Sequence, residues 1–250
     1  MPAPRPKERL DQALVTRQLC DSREQAKRLI LAGEVRVDGH MVDKPATKVD
    51  SEAELTLKTR PRYVGRGGIK LEGALKSLEI DPTGKTCLDI GASTGGFTDC
   101  LLQHGAAKVY AIDVGTNQLV WKIRNDPRVH AREKFNARNL RPADLPELVD
   151  LIVIDVSFIS LTKILPPAFS VLKPGGNLLA LIKPQFEVER NEVGKGGIVR
   201  DVAARLRAAD KITEFVSNEL NQRVVQCIDS PITGTDGNHE FFGHFQSNDS

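Results

Sequence analysis

The sequence predicts an α/β fold: a mostly parallel sheet with an antiparallel last strand, preceded by a small α+β domain. Three observations carry this expectation. Beyond residue 85, short apolar runs alternate with helical patterns. The first of these runs, Thr86-Cys87-Leu88-Asp89-Ile90, ends in a glycine turn, Gly91-Ala92-Ser93-Thr94-Gly95-Gly96, that opens a helix. The third is charge: residues 1–70 hold 15 Lys/Arg against 10 Asp/Glu, whereas the rest holds 20 against 23. A basic front on a near-neutral body suits a polyanionic partner. The larger part therefore reads as a Rossmann-like sheet, whose ligands bind outside the carboxyl ends of the strands.

Composition narrows the class. No apolar run approaches the ~20 residues of a membrane helix, and the N-terminus lacks a secretory pattern. Four scattered cysteines without a C-x-x-C pair fit a reduced, cytoplasmic protein. The five histidines show no zinc spacing, so no metal is expected.

Taken in order, residues 1–59 form the first domain. Leu10 and Leu14 mark an amphipathic helix. Asp21 or Ser22 caps a second, which stops at Gly33 and buries Ala26, Leu29 and Ile30. Glu34–Val37 alternates like a strand, Asp38-Gly39 signals a hairpin, and Val42 and residues 54–57 continue the small sheet. Residues 60–68, rich in Pro, Gly and Arg, read as a basic linker. Tyr63 packs at the interface or stacks on an unpaired base. Residues 69–250 form the second domain. Its opening helix starts at Ile69 and places Lys70 in its first turn, where a cation gains nothing from the helix dipole.

The glycine pattern after Ile90 is G-x-x-x-G-G. The dinucleotide fingerprint requires G-x-G-x-x-G, and a phosphate loop requires Gly-Lys-Ser/Thr at its end. Strands follow at Lys108–Val114, Val129–Glu133, Val149–Phe158 and Asn177–Lys183, then the antiparallel pair Val224–Ile228 and Glu240–Phe245. Asp113 closes the second strand, where a carboxylate can take both hydroxyls of a ribose. Phe135 or Asn136 falls near an adenine, whereas Trp121 reads as core. Asp155 and Lys183 each end an apolar strand on the ligand side. Val193–Arg200 reads as a mobile loop that touches substrate, and Asp201 starts a long helix to about Leu220.

These motifs carry resemblances. Ser22–Ile30 with Gly33–Gly39 resembles the alpha-L RNA-binding motif. The resemblance implies phosphate contacts from Arg9, Arg17, Arg23, Lys27, Arg28 and Arg36, with Arg60, Arg62 and Arg66 of the linker as further candidates. The strand with Asp89 and the turn Gly91, Ala92, Ser93, Thr94, Gly95 and Gly96 resembles the first motif of methyltransferases that use S-adenosylmethionine. By that resemblance Asp89 meets the cofactor's amino group and the turn cradles its amino-acid end, with Asp113, Asn136 and Asp155 as further contacts. Asp155-Val156-Ser157-Phe158 lacks the prolines of enzymes that methylate exocyclic amines.

Lys70, Asp155, Lys183 and Glu240 resemble the catalytic tetrad of FtsJ-type ribose 2′-O-methyltransferases. Along almost its whole length the chain resembles the TlyA family of ribosomal RNA cytidine-2′-O-methyltransferases, often labelled haemolysins. The resemblance implies a ribosomal RNA partner, with Lys183 taking the hydroxyl proton or the tetrad only orienting the hydroxyl. Burial makes a lysine less basic and neighbouring carboxylates oppose this, so both roles stay open. Two other classes are weighed: a membrane-active haemolysin, and an RNA-binding protein with an inactive methyltransferase-like fold.

Overall fold

A computed structural model describes residues 6–20, 22–58, 62–234 and 236–248, and the chain divides into two compact units after residue 61. In the first unit, β1 (Lys7–Arg9) leads into α1 (Leu10–Thr16), and α2 (Arg23–Leu31) follows. Four short strands come next: β2 (Val35–Val37), β3 (His40–Met41), β4 (Lys48–Asp50) and β5 (Leu55–Leu57). Leu10, Leu14, Ala26 and Ile30 meet in one core with Val35 and Val49. Ser22 caps α2 by accepting from the Gln25 amide at 3.2 Å. The sequence does not announce the antiparallel pair β1–β4, because three-residue strands are too short to show a period.

Several residues assigned to RNA by resemblance have partners inside this unit. Arg17 is a structural residue. Its guanidinium donates to the carbonyls of Asp50, Ser51 and Ala53 and pairs with Glu8. Arg36 donates to the carbonyl of Gly39 across the hairpin at 2.9 Å, while Lys27 and Arg28 lie exposed on α2. Arg60 lies outside the described residues.

The second unit opens with α3 (Arg66–Ser77), three residues earlier than its pattern suggests. The stretch read as linker is therefore partly structured: Tyr63 is buried and packs under Gly68, and residues 66–68 are helical. Then come β6 (Thr86–Ile90), α4 (Gly96–Gln103), β7 (Lys108–Ile112), α5 (Trp121–Arg124), β8 (Val129–Arg132) and β9 (Val149–Ile154). The chain continues through α6 (Leu165–Phe169), β10 (Leu172–Ile182), α7 (Val202–Glu214), β11 (Arg223–Asp229) and β12 (Phe241–Gln246). Among the described residues the sheet order is β11-β12-β10-β9-β6-β7-β8, with β12 antiparallel to both of its neighbours. β10 begins at Leu172, five residues before the strand that the apolar pattern marks, and its register against β9 shifts between Leu172 and Asn177. Separate apolar cores cover the two faces.

Trp121 corrects the reading of the sequence: it is 79% exposed. Leu119 and Ile123, four residues apart, fill the buried stripe beneath the single turn of α5 and pack against Gly95. Trp121 lies midway between them and so points outward.

Replacing Arg17 by Ala should destabilise residues 6–58 by about 1–3 kcal/mol, the cost of losing its bonds to partly buried carbonyls. Chemical denaturation of the full chain should show this unit unfolding earlier and the larger unit unchanged. An unshifted first transition would return Arg17 to the list of surface cations.

Candidate active site

The glycine turn sets the site's floor. Gly91 has φ +87°, and a Cβ there would lie 2.3 Å from the carbonyl oxygen of Asp155. Only glycine satisfies both conditions. The amides of Gly91 and Ala92 donate to the carbonyl of Ile112, which holds the turn on the end of β7. Asp113, just past β7, accepts from the Ser93 amide at 2.8 Å and the Gly115 amide at 2.6 Å.

Around this floor lies a cavity of about 510 Å³ lined by Gly91–Thr94, Gly96 and all four residues of the expected tetrad. Lys70 Nζ lies 2.5 Å from Glu240 Oε2, both buried, and Lys183 Nζ lies 2.5 Å from Asp155 Oδ1. Lys183 also donates to Ser157 Oγ at 3.0 Å. Lys70 sits one turn inside α3 rather than in its first turn. Its helix lies close to the start of α4, where glycine faces glycine: a Cβ on Gly96 would sit 3.1 Å from the Gly68 amide nitrogen and 3.4 Å from Gly65 O and Gly67 Cα. Glu240 arrives from the segment before β12, with Gly234 pressed against its carboxylate. Four segments distant in sequence thus contribute two ion pairs to one cavity. Paired burial is the condition under which buried ions are tolerated.

A second cavity of about 400 Å³ shares Gly91, Ser93, Asp155, Ser157 and Phe158 with the first. Its remaining walls are largely apolar, from Ile90, Ile112, Phe135, Val156, Ile159 and Ile164, with Asp113, Gln118 and Asn136 as polar groups. The loop carrying Gln118 is tied to Glu133, which accepts from the amides of Asn117 and Gln118 and pairs with Arg124. That guanidinium holds the Glu133 carboxyl down at about 2.

Asp89 does not reach either cavity. Along β6 the side chains alternate, so Leu88 and Ile90 face one core while Cys87 and Asp89 face α4. Asp89 accepts from Thr98 Oγ1 at 2.6 Å, and its other oxygen is buried without a partner. Burial pushes its carboxyl up to about 7 against the opposing Thr98 bond.

Other residues here have no clear signal in the sequence. Phe158 is 91% exposed, has φ +62° and leans on Phe186, with ring centroids 5.1 Å apart. A bulky residue in the left-handed region is strained, which marks functional sites. Buried Asn238 pins the glycine loop, accepting from the Val199 amide at 3.0 Å and donating to Gly197 O at 2.8 Å. Buried Glu187 ties Ser160 and Leu161 to the segment after Lys183. Beside Phe158 a broad groove is lined by Arg138, Lys163 and Arg190, with no carboxylate among its described residues. Arg66 lines the cavity that holds the two ion pairs and donates to Thr233 O, whereas Arg62 is paired with Glu72. Among the described residues no cluster could hold a metal ion, and no helix is long and apolar enough to cross a membrane.

Residues 63–247 match the FtsJ-like methyltransferase family, and residues 8–55 match the S4 domain. The fold and site thus define an FtsJ-like methyltransferase with an S4 domain at its front. A Mycobacterium tuberculosis protein named 16S/23S rRNA (cytidine-2′-O)-methyltransferase TlyA is 46% identical over 94% of this chain and 88% of its own. Hemolysin A of Brachyspira hyodysenteriae is 46% identical over 95% of this chain and 99% of its own. A solved Streptococcus thermophilus structure, provisionally named a hemolysin, superposes with a TM-score of 0.74 at 46% identity, covering 99% of this chain and 90% of that one. The chain belongs to the TlyA and hemolysin A family.

Asp89 gives stability a pH dependence. Its folded pKa of about 7 lies above the ordinary aspartate value. Between those values the folded state keeps a proton that the unfolded chain has released. Stability from this group therefore falls as pH rises through that window, by about 1.4 kcal/mol per unit. Asp89→Asn should remove this slope, so that the variant gains on the parent from pH 5 to 7.5 in thermal melts. Parallel pH profiles would show that the carboxyl titrates normally.

Proposed function

We propose that this protein methylates the 2′-hydroxyl of a cytidine ribose in ribosomal RNA, using S-adenosylmethionine. The observation that carries the reading is the meeting of the Lys70–Glu240 and Lys183–Asp155 pairs in one cavity at the glycine turn.

The residues present fit the cofactor. The turn Gly91–Thr94 lines the charged cavity, the apolar slot suits adenine, and the Asp113 carboxylate suits the ribose hydroxyls. Asn136 and Gln118 offer polar contacts at the slot. When bound, the cofactor supplies an electrophilic methyl group on a sulfonium. Residues of the chain do the rest. A ribose hydroxyl is a weak nucleophile, and most of the rate comes from holding it in line. Lys183 Nζ already donates to one hydroxyl, that of Ser157, and can hold a ribose hydroxyl in the same way. Lys183 Nζ takes the hydroxyl proton as the carbon–oxygen bond forms and passes one of its own to the Asp155 carboxylate 2.5 Å away, so the pair ends as ammonium and carboxylic acid. Lys70 and Glu240, buried together, fix another part of the cavity wall.

A nucleotide reaching this cavity must leave its stack, at a cost of a few kcal/mol. The exposed ring of Phe158 offers a stacking surface that offsets this cost. Arg138, Lys163 and Arg190 offer phosphate contacts beside it, and the S4 domain adds a second RNA-binding unit.

Lys183→Ala should lower methylation of ribosomal RNA by about 10²–10⁴-fold, with S-adenosylmethionine affinity by calorimetry nearly unchanged; retained turnover would refute the assignment. Replacing Arg138, Lys163 and Arg190 together by Ala should weaken RNA binding and reduce the salt slope by about 0.7–0.9 for each phosphate that is no longer neutralised. An unchanged slope would remove the groove from the RNA path.

A further inference from the structure

Asp11 is a buried charge in a small module. It lies at the second position of α1, its side chain is 0% exposed, and it accepts from Arg9 Nε at 2.9 Å and Arg9 Nη2 at 3.0 Å. This is the two-pronged bond in which a guanidinium is most firmly fixed. The first residue of α2 adds a third bond, Arg23 Nη2 to Asp11 Oδ2 at 3.0 Å. The Arg9 and Arg23 guanidiniums hold the carboxyl well below the usual carboxylate range.

Both Nη2 atoms therefore bond the same oxygen, and no more than twice that bond length separates them. The two side chains stay 41% and 50% exposed. The carboxylate is hidden while the cations are presented, and the cluster keeps a net positive charge. Arg17 is different, because its guanidinium is committed to internal carbonyls. A free arginine gives up rotamer freedom when it binds a phosphate, whereas one already locked does not.

We propose that Asp11 is a positioning residue that sets Arg9 and Arg23 side by side as a clamp for a phosphodiester of ribosomal RNA. A buried negative charge thereby strengthens the binding of a polyanion. The inference rests on the RNA reading of the preceding subsection and names the group that organises the contact.

The sign of one substitution tests it. Asp11→Asn removes a negative charge, so charge counting alone expects tighter RNA binding. The clamp expects binding to weaken about tenfold, the equivalent of one charge-assisted bond. The full-length protein is titrated with purified ribosomal subunits in filter binding at fixed salt, with melts to verify the fold. The charge-preserving double variant Arg9→Lys, Arg23→Lys is measured alongside, because lysine cannot form the fork. It too should bind about tenfold more weakly, with S-adenosylmethionine affinity unchanged in both. If Asp11→Asn fails to fold, the double variant decides. Equal or tighter binding by either folded variant overturns the clamp. Failure of the parent protein to bind subunits overturns the RNA reading and the clamp together.

Discussion

The backbone of Gly91 lies so close to the carbonyl of Asp155 that no side chain fits between them. Much of the site follows from this contact. β6 and β9 are parallel neighbours in the sheet, so their carboxyl ends finish side by side. The Asp155 amide donates to Ile90 O at 2.9 Å, which binds the two ends together. The turn must then leave in the left-handed region, and it does so beneath two cavities at once. Asp155 lines both, which makes it the hinge between a mostly apolar slot and a charged pocket.

Charge placement around that hinge obeys a second constraint. Lysine is costly to bury unless it is paired and bonded. Each buried or half-buried lysine of the pocket therefore comes with one carboxylate, supplied from elsewhere in the chain. Gly65, Gly67 and Gly96 lie where the starts of α3 and α4 come together, against Thr94, Phe97 and the backbone of α3, while Gly68 leaves room for the ring of Tyr63. The run from Arg60 to Gly68 reads as a basic linker in composition. In the folded chain its latter part is close-packed surface that sets the position of Lys70.

Legibility followed the length of the signal. The sheet could be read because each central strand is a mostly apolar stretch of five or more residues bounded by turns. Asp155 and Lys183 were legible because they interrupt such runs at the ligand end. Trp121 was not, since one helical turn cannot establish which face is buried. Asp89 misled for a related reason: its place in the motif is clear, but strand alternation turns it under α4. Phe158, Asn238 and Glu187 act through loop contacts between segments far apart in sequence, which no local pattern records.

In the larger unit the sequence by itself determined the alternation of strands and helices, the glycine turn and the residue types available for chemistry. Those properties arise from neighbours a few positions apart, through periodicity and backbone freedom. The tertiary structure alone decided which charges are paired, which arginines are committed to internal carbonyls and which aromatic ring faces the cavity. Pairing depends on distance in space, and folding brings together groups separated by up to 170 positions along the chain.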